Sequence, residues 1–285
     1  MVGSSGGGGG TAYAYISVTY PAGSVCTCVS GGTTLTAPDT SGAFVFEVPS
    51  SGSWVITATD GVDTATKTVT ITSQYQIEFV GVSYRVPAEY QEVEYLEGKG
   101  AQYIELPTTS DLIKSGSAKF NMVTNVNYSA LFGSSNSTTS STSAAYGLII
   151  GAGGSPSKGF QYNGARNTNV ACSVGTEYTL TWATDAGSQT YVLNGTTYTS
   201  TTSGYPAAIS PYLFTFHYKT TIKSSEIAKV KVYSLTFYGA NGDPIIECVP
   251  CYRKADSVAG MWERVTETFL TNLGSGSFDV GGDVN

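Results

Sequence analysis

The alternation of apolar and polar positions is most regular between Ile227 and Lys254, IAKVKVYSLTFYGANGDPIIECVPCYRK. Val230, Val232, Ser234 and Thr236 alternate with Lys231, Tyr233, Leu235 and Phe237 at the period of two that a pleated strand imposes. GANGDP at 239–244 is dense turn chemistry, and a second apolar run, Ile245 to Val249, leads away from it. The stretch therefore predicts a long hairpin. A hairpin cannot bury its apolar face alone, so a partner sheet is required, and residues 101–218 are expected to supply it.

The same period recurs along the rest of the chain. Between 12 and 82, AYAYISVTY, SVCTCV, AFVFEV, WVITAT, TATKTVTIT and YQIEFVGV are separated by short Gly, Ser, Pro and Asp turns. Five to seven strands in roughly 70 residues predict a small β-sandwich. Phe44, Phe46 and Val48 would supply one inner face, and Trp54, Ile56 and Ala58 the other. Residues 1–11 are Gly/Ser-rich, a flexible tether by composition. Residues 83–90, SYRVPAEY, read as an extended linker because Pro87 biases Val86 away from helix. From 91 to 285 about ten to twelve further strands are expected, with AsnGly at 163 and 194 as hairpin turns, which suits a large two-sheet jelly roll.

Composition sharpens this all-β picture. Only 12% of the 285 residues are charged, while 20 are tyrosine, a balance that favours strands and turns over helices. The formal charge is 14 − 21 = −7, with no basic cluster to track a phosphate backbone, so nucleic-acid binding has no electrostatic footprint. The start, MVGSSGGGGG, lacks the basic and apolar regions of a secretory signal, and no run approaches the roughly 18 apolar residues of a membrane span. Cytoplasmic synthesis without a signal peptide or membrane insertion is expected. Five cysteines give no reason to assume an oxidising compartment. Cys26 and Cys28, two apart on a strand, are expected to be buried thiols.

Two resemblances follow from these segments. The order GSVC, TSGAFVF, GSWVITATDG within 12–82 resembles bacterial immunoglobulin-like and carboxypeptidase-regulatory-like modules, which act as spacers or docking units. EVEYLEGKGAQYIELP at 92–107, the EYTLTWATD and TYVLNGTTY pair, and the block from Lys231 to Val284 together resemble the concanavalin A-like, or laminin-G-like, lectin and glucanase superfamily. They are closer still to a domain of phage and prophage proteins of gut bacteria. The resemblance implies a phage virion structural protein of head-fibre, decoration or tail-fibre type. Such a protein would be repeated in the particle, attached to other virion proteins through its N-terminal region, and would display a lectin-like domain to host-surface glycan. The alternative is a decoration protein that binds no sugar, and behind both stands a glycoside hydrolase.

Candidate chemistry is sparse. Glu92, Glu94 and Glu97 imitate the alternating carboxylates of retaining glucanases, but they begin the domain next to the linker and lack the usual Asp, so they are read as solvated or interface carboxylates. Cys248 and Cys251 form CVPC, yet no second CxxC or CxxH completes a zinc site and no βαβ pattern supports redox chemistry; a strand end with buried thiols is expected. His217 has no Ser or Cys motif to complete a triad and is read as an ordinary strand residue. Asp185, Asp243 and Asp256 are scattered, without the clustered oxygens calcium needs. The Gly-rich start lacks the GK[ST] ending of a phosphate loop. Neither a catalytic residue, a metal nor a cofactor is therefore assigned. The one binding candidate is Tyr162, Asn163 and Arg166 at a predicted hairpin tip, an aromatic face flanked by hydrogen-bonding groups as sugar sites use, with Tyr146 and Tyr212 expected near other loops.

Overall fold

The fold is that of a computed structural model, which describes residues 13–49, 51–59, 64–73, 76–81, 85–124, 129–137, 145–150, 159–162, 165–166, 172–185, 188–201, 208–222 and 227–284. Among the described residues it is all-β, with one 3-10 turn at Ser110–Leu112, and the chain divides into two units, one ending at Ala88 and the other spanning Glu89–Val284. Among the described residues no helix is long and apolar enough to cross a membrane.

The smaller unit is built from β1 (Ala14–Thr19), β2 (Val25–Ser30), β3 (Thr33–Thr36), β4 (Ala43–Val48), β5 (Gly52–Thr59), β6 (Thr64–Ile71) and β7 (Ile77–Gly81). They form two sheets, in the orders β4-β1-β7 and β3-β2-β5-β6. Period-two alternation sends Ile16, Val18, Phe46 and Val48 inward from one sheet and Cys26, Cys28, Trp54, Ile56 and Ala58 from the other, all buried in one core. The predicted facing surfaces are thus present, with Phe44 half-buried and its ring edge-on to Phe46 at 5.0 Å. Cys26 and Cys28 are buried free thiols, and burial followed by the neighbouring Cys26 pushes Cys28 up to about 11. On the edge strand β6, Lys67 takes an inward register position opposite Ile56 and is exposed, a charge that blunts the edge against further pairing.

The larger unit begins with β8 (Tyr90–Glu92), β9 (Leu96–Glu97), β10 (Ile104–Glu105), β11 (Ser115–Met122), β12 (Ser129–Ser135), β13 (Ala145–Ile150), β14 (Gly159–Tyr162) and β15 (Ala165–Arg166). It continues through β16 (Glu177–Asp185), β17 (Ser188–Leu193), β18 (Thr196–Thr201), β19 (Tyr212–Leu213), β20 (His217–Tyr218) and β21 (Thr221–Ile222). Last come β22 (Val230–Tyr238), β23 (Pro244–Arg253), β24 (Val258–Glu263), β25 (Thr268–Thr271) and β26 (Asp279–Val280). One sheet runs β18-β17-β16-β11-β22-β23-β24-β25, with β8 against β23 and β9 against β22; the other runs β10-β19-β12-β13-β14-β15. Tyr90, placed in the linker by sequence, opens β8 opposite Arg253 and is buried.

The predicted hairpin is β22 and β23, but two details differ from expectation. Its partner sheet does not take the whole of 101–218, because β11 and β16–β18 extend the hairpin's own sheet. Gly116 helps β11 fit between β16 and β22, since a Cβ there would meet the Trp182 ring and the Thr236 carbonyl. Nor does β22 alternate strictly. Its register against β11 slips at Lys119/Phe120, which pair with Ser234 and Val232, leaving Tyr233 as the extra residue of a bulge. The slip exchanges faces, so that Leu235 and Phe237 join Val230 and Val232 in the core while Ser234 and Thr236 turn outward.

The turn at 194 is the expected AsnGly hairpin: Leu193 pairs with Thr196, and Asn194 and Gly195 have φ of 46° and 81°, as a primed turn requires. CVPC lies along β23, where residues three apart point to opposite faces. Cys248 enters the central core, while Cys251 sits between Glu92 and Gly260 on the neighbouring strands. Burial drives both thiols upward, Cys251 to about 12.

Candidate functional site

Two segments far apart in sequence, 101–107 (AQYIELP) and 268–276 (TFLTNLGSG), run antiparallel and are laced at one end. Ser275 N–H donates to the Ala101 carbonyl (3.0 Å) and Leu273 N–H to the Tyr103 carbonyl (2.9 Å). The same register would next set Thr271 against Glu105 and Phe269 against Pro107. Those rungs are not formed: β10 pairs with β19 and β25 with β24, and the two strand edges part. Between them lies a cleft of about 320 Å³ whose walls include Glu105, Pro107, Ser210, Phe269, Thr271 and Leu273.

The parting has local causes. Pro107 has no N–H to offer the 107/269 rung, and Leu106 N–H donates on the other side to the Pro211 carbonyl (3.0 Å), holding this strand against β19. The laced end is fastened by side chains. Asn272 Oδ1 accepts from Tyr103 N–H (3.2 Å) and Gly274 N–H (2.8 Å), and its Nδ2 donates to the Gly276 carbonyl (2.9 Å). Buried Gln102 donates from Nε2 to the Ser275 carbonyl (2.8 Å) and accepts from Lys99 N–H (2.8 Å). A Cβ on Gly274 would collide with the Ala101 carbonyl, so glycine permits the approach.

The opposite wall is anchored through Glu263, which is fully buried. Its Oε1 accepts from Glu247 N–H (2.8 Å) and Val265 N–H (3.0 Å), and its Oε2 from Thr266 N–H (2.7 Å) and the Thr266 hydroxyl (2.6 Å). These bonds tie the turn between β24 and β25 to β23 and so hold the edge strand that carries Phe269 and Thr271. Phe269 is backed by Tyr90, ring centroids 4.7 Å apart, and by the Arg253 guanidinium at 5.7 Å.

Beside the cleft, Tyr103, Tyr212 and His217 stack, with centroids 5.5 and 4.2 Å apart and planes within 9° and 15° of parallel. His217 Nδ1 lies 2.9 Å from the Ser210 carbonyl, which can only accept, so Nδ1 carries the proton and donates. Burial, then the Glu105 carboxylate, then Tyr103 push the Tyr212 hydroxyl upward, because Glu105 and Tyr212 are cross-strand neighbours. The cleft thus combines an apolar strip of Pro107, Phe269 and Leu273, the last 52% exposed, with two hydroxyls, one carboxylate and parted strand edges. A saccharide offers the matching surfaces: C–H faces for the strip and hydroxyls that both donate and accept.

The residues singled out from sequence are dispersed. Tyr162 pairs with Ala165 and Gln161 with Arg166 in the β14–β15 hairpin, at the edge of its sheet opposite β10, while Asn163 lies outside the described residues. Tyr146 is not near a loop: it is fully buried in the core and its hydroxyl accepts from Trp182 Nε1 (2.7 Å), because its position on β13 faces the second sheet. Tyr212 stands beside the cleft. Glu97 pairs with Lys231 Nζ (3.8 Å), whose charge also sits 4.1 Å from the Tyr95 ring centre. Asp256 is held by Arg253 (2.7 Å) and Asp243 accepts from Asn241 Nδ2 (2.6 Å). Among the described residues no group of three or more His, Cys, Asp or Glu side chains is placed to hold a metal ion. Glu105, Phe269 and Thr271 lie inside the blocks that resemble the lectin and glucanase superfamily, but neither they nor Ser210 stand out as binding residues from sequence. Only Pro107, which closes the AQYIELP strand and has no N–H, signalled from sequence that a ladder could not continue there.

No protein-family model matches the chain, and a search of curated proteins finds no match. Among solved structures, a protein from Bacteroides ovatus described as a "putative carbohydrate binding protein" is similar at a TM-score of 0.47 and 10% identity, over 96% of this chain and 94% of that one.

Proposed function

We propose that the larger unit binds carbohydrate in the cleft between β10 and β25, and that the chain is a phage virion structural protein that presents this lectin-like unit to host-surface glycan. The observation that carries the binding reading is the unformed pair of rungs at Glu105/Thr271 and Phe269/Pro107, which leaves strand edges beside an apolar strip and a carboxylate. The concanavalin A-like and immunoglobulin-like assignments, and the virion setting, are supported by the sequence blocks at 92–107 and 231–284 and by the strand order within 12–82. A binding rather than hydrolytic role is favoured because the described lining has one carboxylate, Glu105, whereas glycosidic cleavage commonly uses two, roughly 5 to 9.5 Å apart.

The test is affinity electrophoresis of the full chain through gels containing bacterial surface polysaccharides. Retention should be lost in Phe269→Ala and kept in Tyr162→Ala, with circular dichroism confirming that both variants fold. Loss in Tyr162→Ala with retention in Phe269→Ala would move the site to the β14–β15 tip. Tight association with capsids or tails and no retention on any polysaccharide would replace this reading with the sugar-free decoration role.

A further inference from the structure

Building on the proposed carbohydrate role of the cleft, we propose that Glu105 makes it selective for neutral saccharides and excludes those carrying carboxylates. Glu105 is the one charged side chain in the described lining, is exposed, and has no ion-pair partner among the described residues. Its surroundings are two hydroxyls and an apolar strip, so nothing in the described wall offsets its charge. The chain as a whole carries −7, which adds to rejection of anions at longer range.

The backbone at the same residue points the same way. In an antiparallel ladder a residue's N–H and C=O share one direction, and successive residues alternate. Leu106 N–H turns toward Pro211 and the Tyr103 carbonyl toward Leu273, so the N–H and C=O of Glu105 face away from β19, into the cleft. Glu105 therefore presents a backbone donor, a backbone acceptor and a carboxylate to one ligand. A neutral pyranose with adjacent hydroxyls can use all three, one O–H donating to the carboxylate as a charge-assisted bond, the other to the backbone carbonyl, and a hydroxyl oxygen accepting from the backbone N–H. A uronic or sialic acid placed there would set a second carboxylate within a few ångströms of the first. The Tyr103–Tyr212–His217 stack braces the strand pair that carries Glu105 and so fixes its backbone beside the cleft.

The experiment compares the full chain's affinity, by isothermal titration calorimetry, for mannan and galactan oligosaccharides with that for the same oligosaccharides oxidised at C6 to uronic acids. The wild type should prefer the neutral member of a pair by about tenfold in low salt, the magnitude of one like-charge contact in a partly wetted site, with the preference shrinking in high salt. Glu105→Gln, an exposed and nearly isosteric change, should reduce the preference to within about twofold; Glu105→Lys should invert it. Equal or tighter binding of the oxidised oligosaccharides by the wild type, or a preference that survives Glu105→Gln, overturns this proposal while leaving the carbohydrate reading in place. Absence of binding to every neutral and oxidised oligosaccharide overturns both.

Discussion

Glu263→Gln should cost the larger unit about 2–4 kcal/mol, and the reason can be worked from its four hydrogen bonds. Both carboxylate oxygens act only as acceptors, two bonds each, from Glu247 N–H, Val265 N–H, Thr266 N–H and the Thr266 hydroxyl. Glutamine keeps the shape but replaces one oxygen with an amide N–H₂. If the amide takes the Oε1 position, two backbone N–H groups face a donor. If it takes the Oε2 position, one backbone N–H does so, and the Thr266 hydroxyl can rotate to accept. At least one buried donor is therefore left unsatisfied, at about 1–3 kcal/mol, and the surviving bonds lose their charge assistance. Removal of a buried charge offsets part of this, which places the net at the stated value rather than higher. Urea denaturation at neutral pH reads the stability change, and hydrogen exchange reads its location: the amides of Glu247, Val265 and Thr266 should lose protection first, with β25 following. A variant within about 0.5 kcal/mol of wild type, with those amides still protected, would refute the reasoning.

Gly116→Ala should destabilise the larger unit by about 1–3 kcal/mol in the same assay, because its methyl group would press on the Trp182 ring and the Thr236 carbonyl on both flanks of β11. Cys251, with its thiol pushed up to about 12 by burial, should react with iodoacetamide at pH 8 about a thousandfold more slowly than an ordinary thiol and react promptly only after unfolding; rapid native-state labelling would contradict its placement.

Much of the fold was legible because strand physics is local. Period two and turn chemistry located the β22–β23 hairpin, the AsnGly turn at 194 and the facing rows of Phe46, Val48, Trp54 and Ile56. The candidate site was much less legible. Tyr162, Asn163 and Arg166 form a compact sequence cluster, which makes such a triplet conspicuous whether or not a site exists there, whereas Glu105 and Phe269 share no local pattern.

What the chain's sequence determined alone was the all-β class and the inward rows of the smaller unit, because both follow from local period-two alternation. What only the tertiary structure decided was register and meeting. A single extra residue, Tyr233, turns Leu235 and Phe237 inward, and that bulge is set by contact with β11 rather than by the alternation of β22 itself. The cleft likewise exists because 101–107 and 269–275 lace at Tyr103 and Leu273 and then part from Glu105 and Thr271 onward. Hydrogen-bond partners so distant along the chain are chosen by the packing of two sheets, and a one-dimensional pattern does not contain that choice.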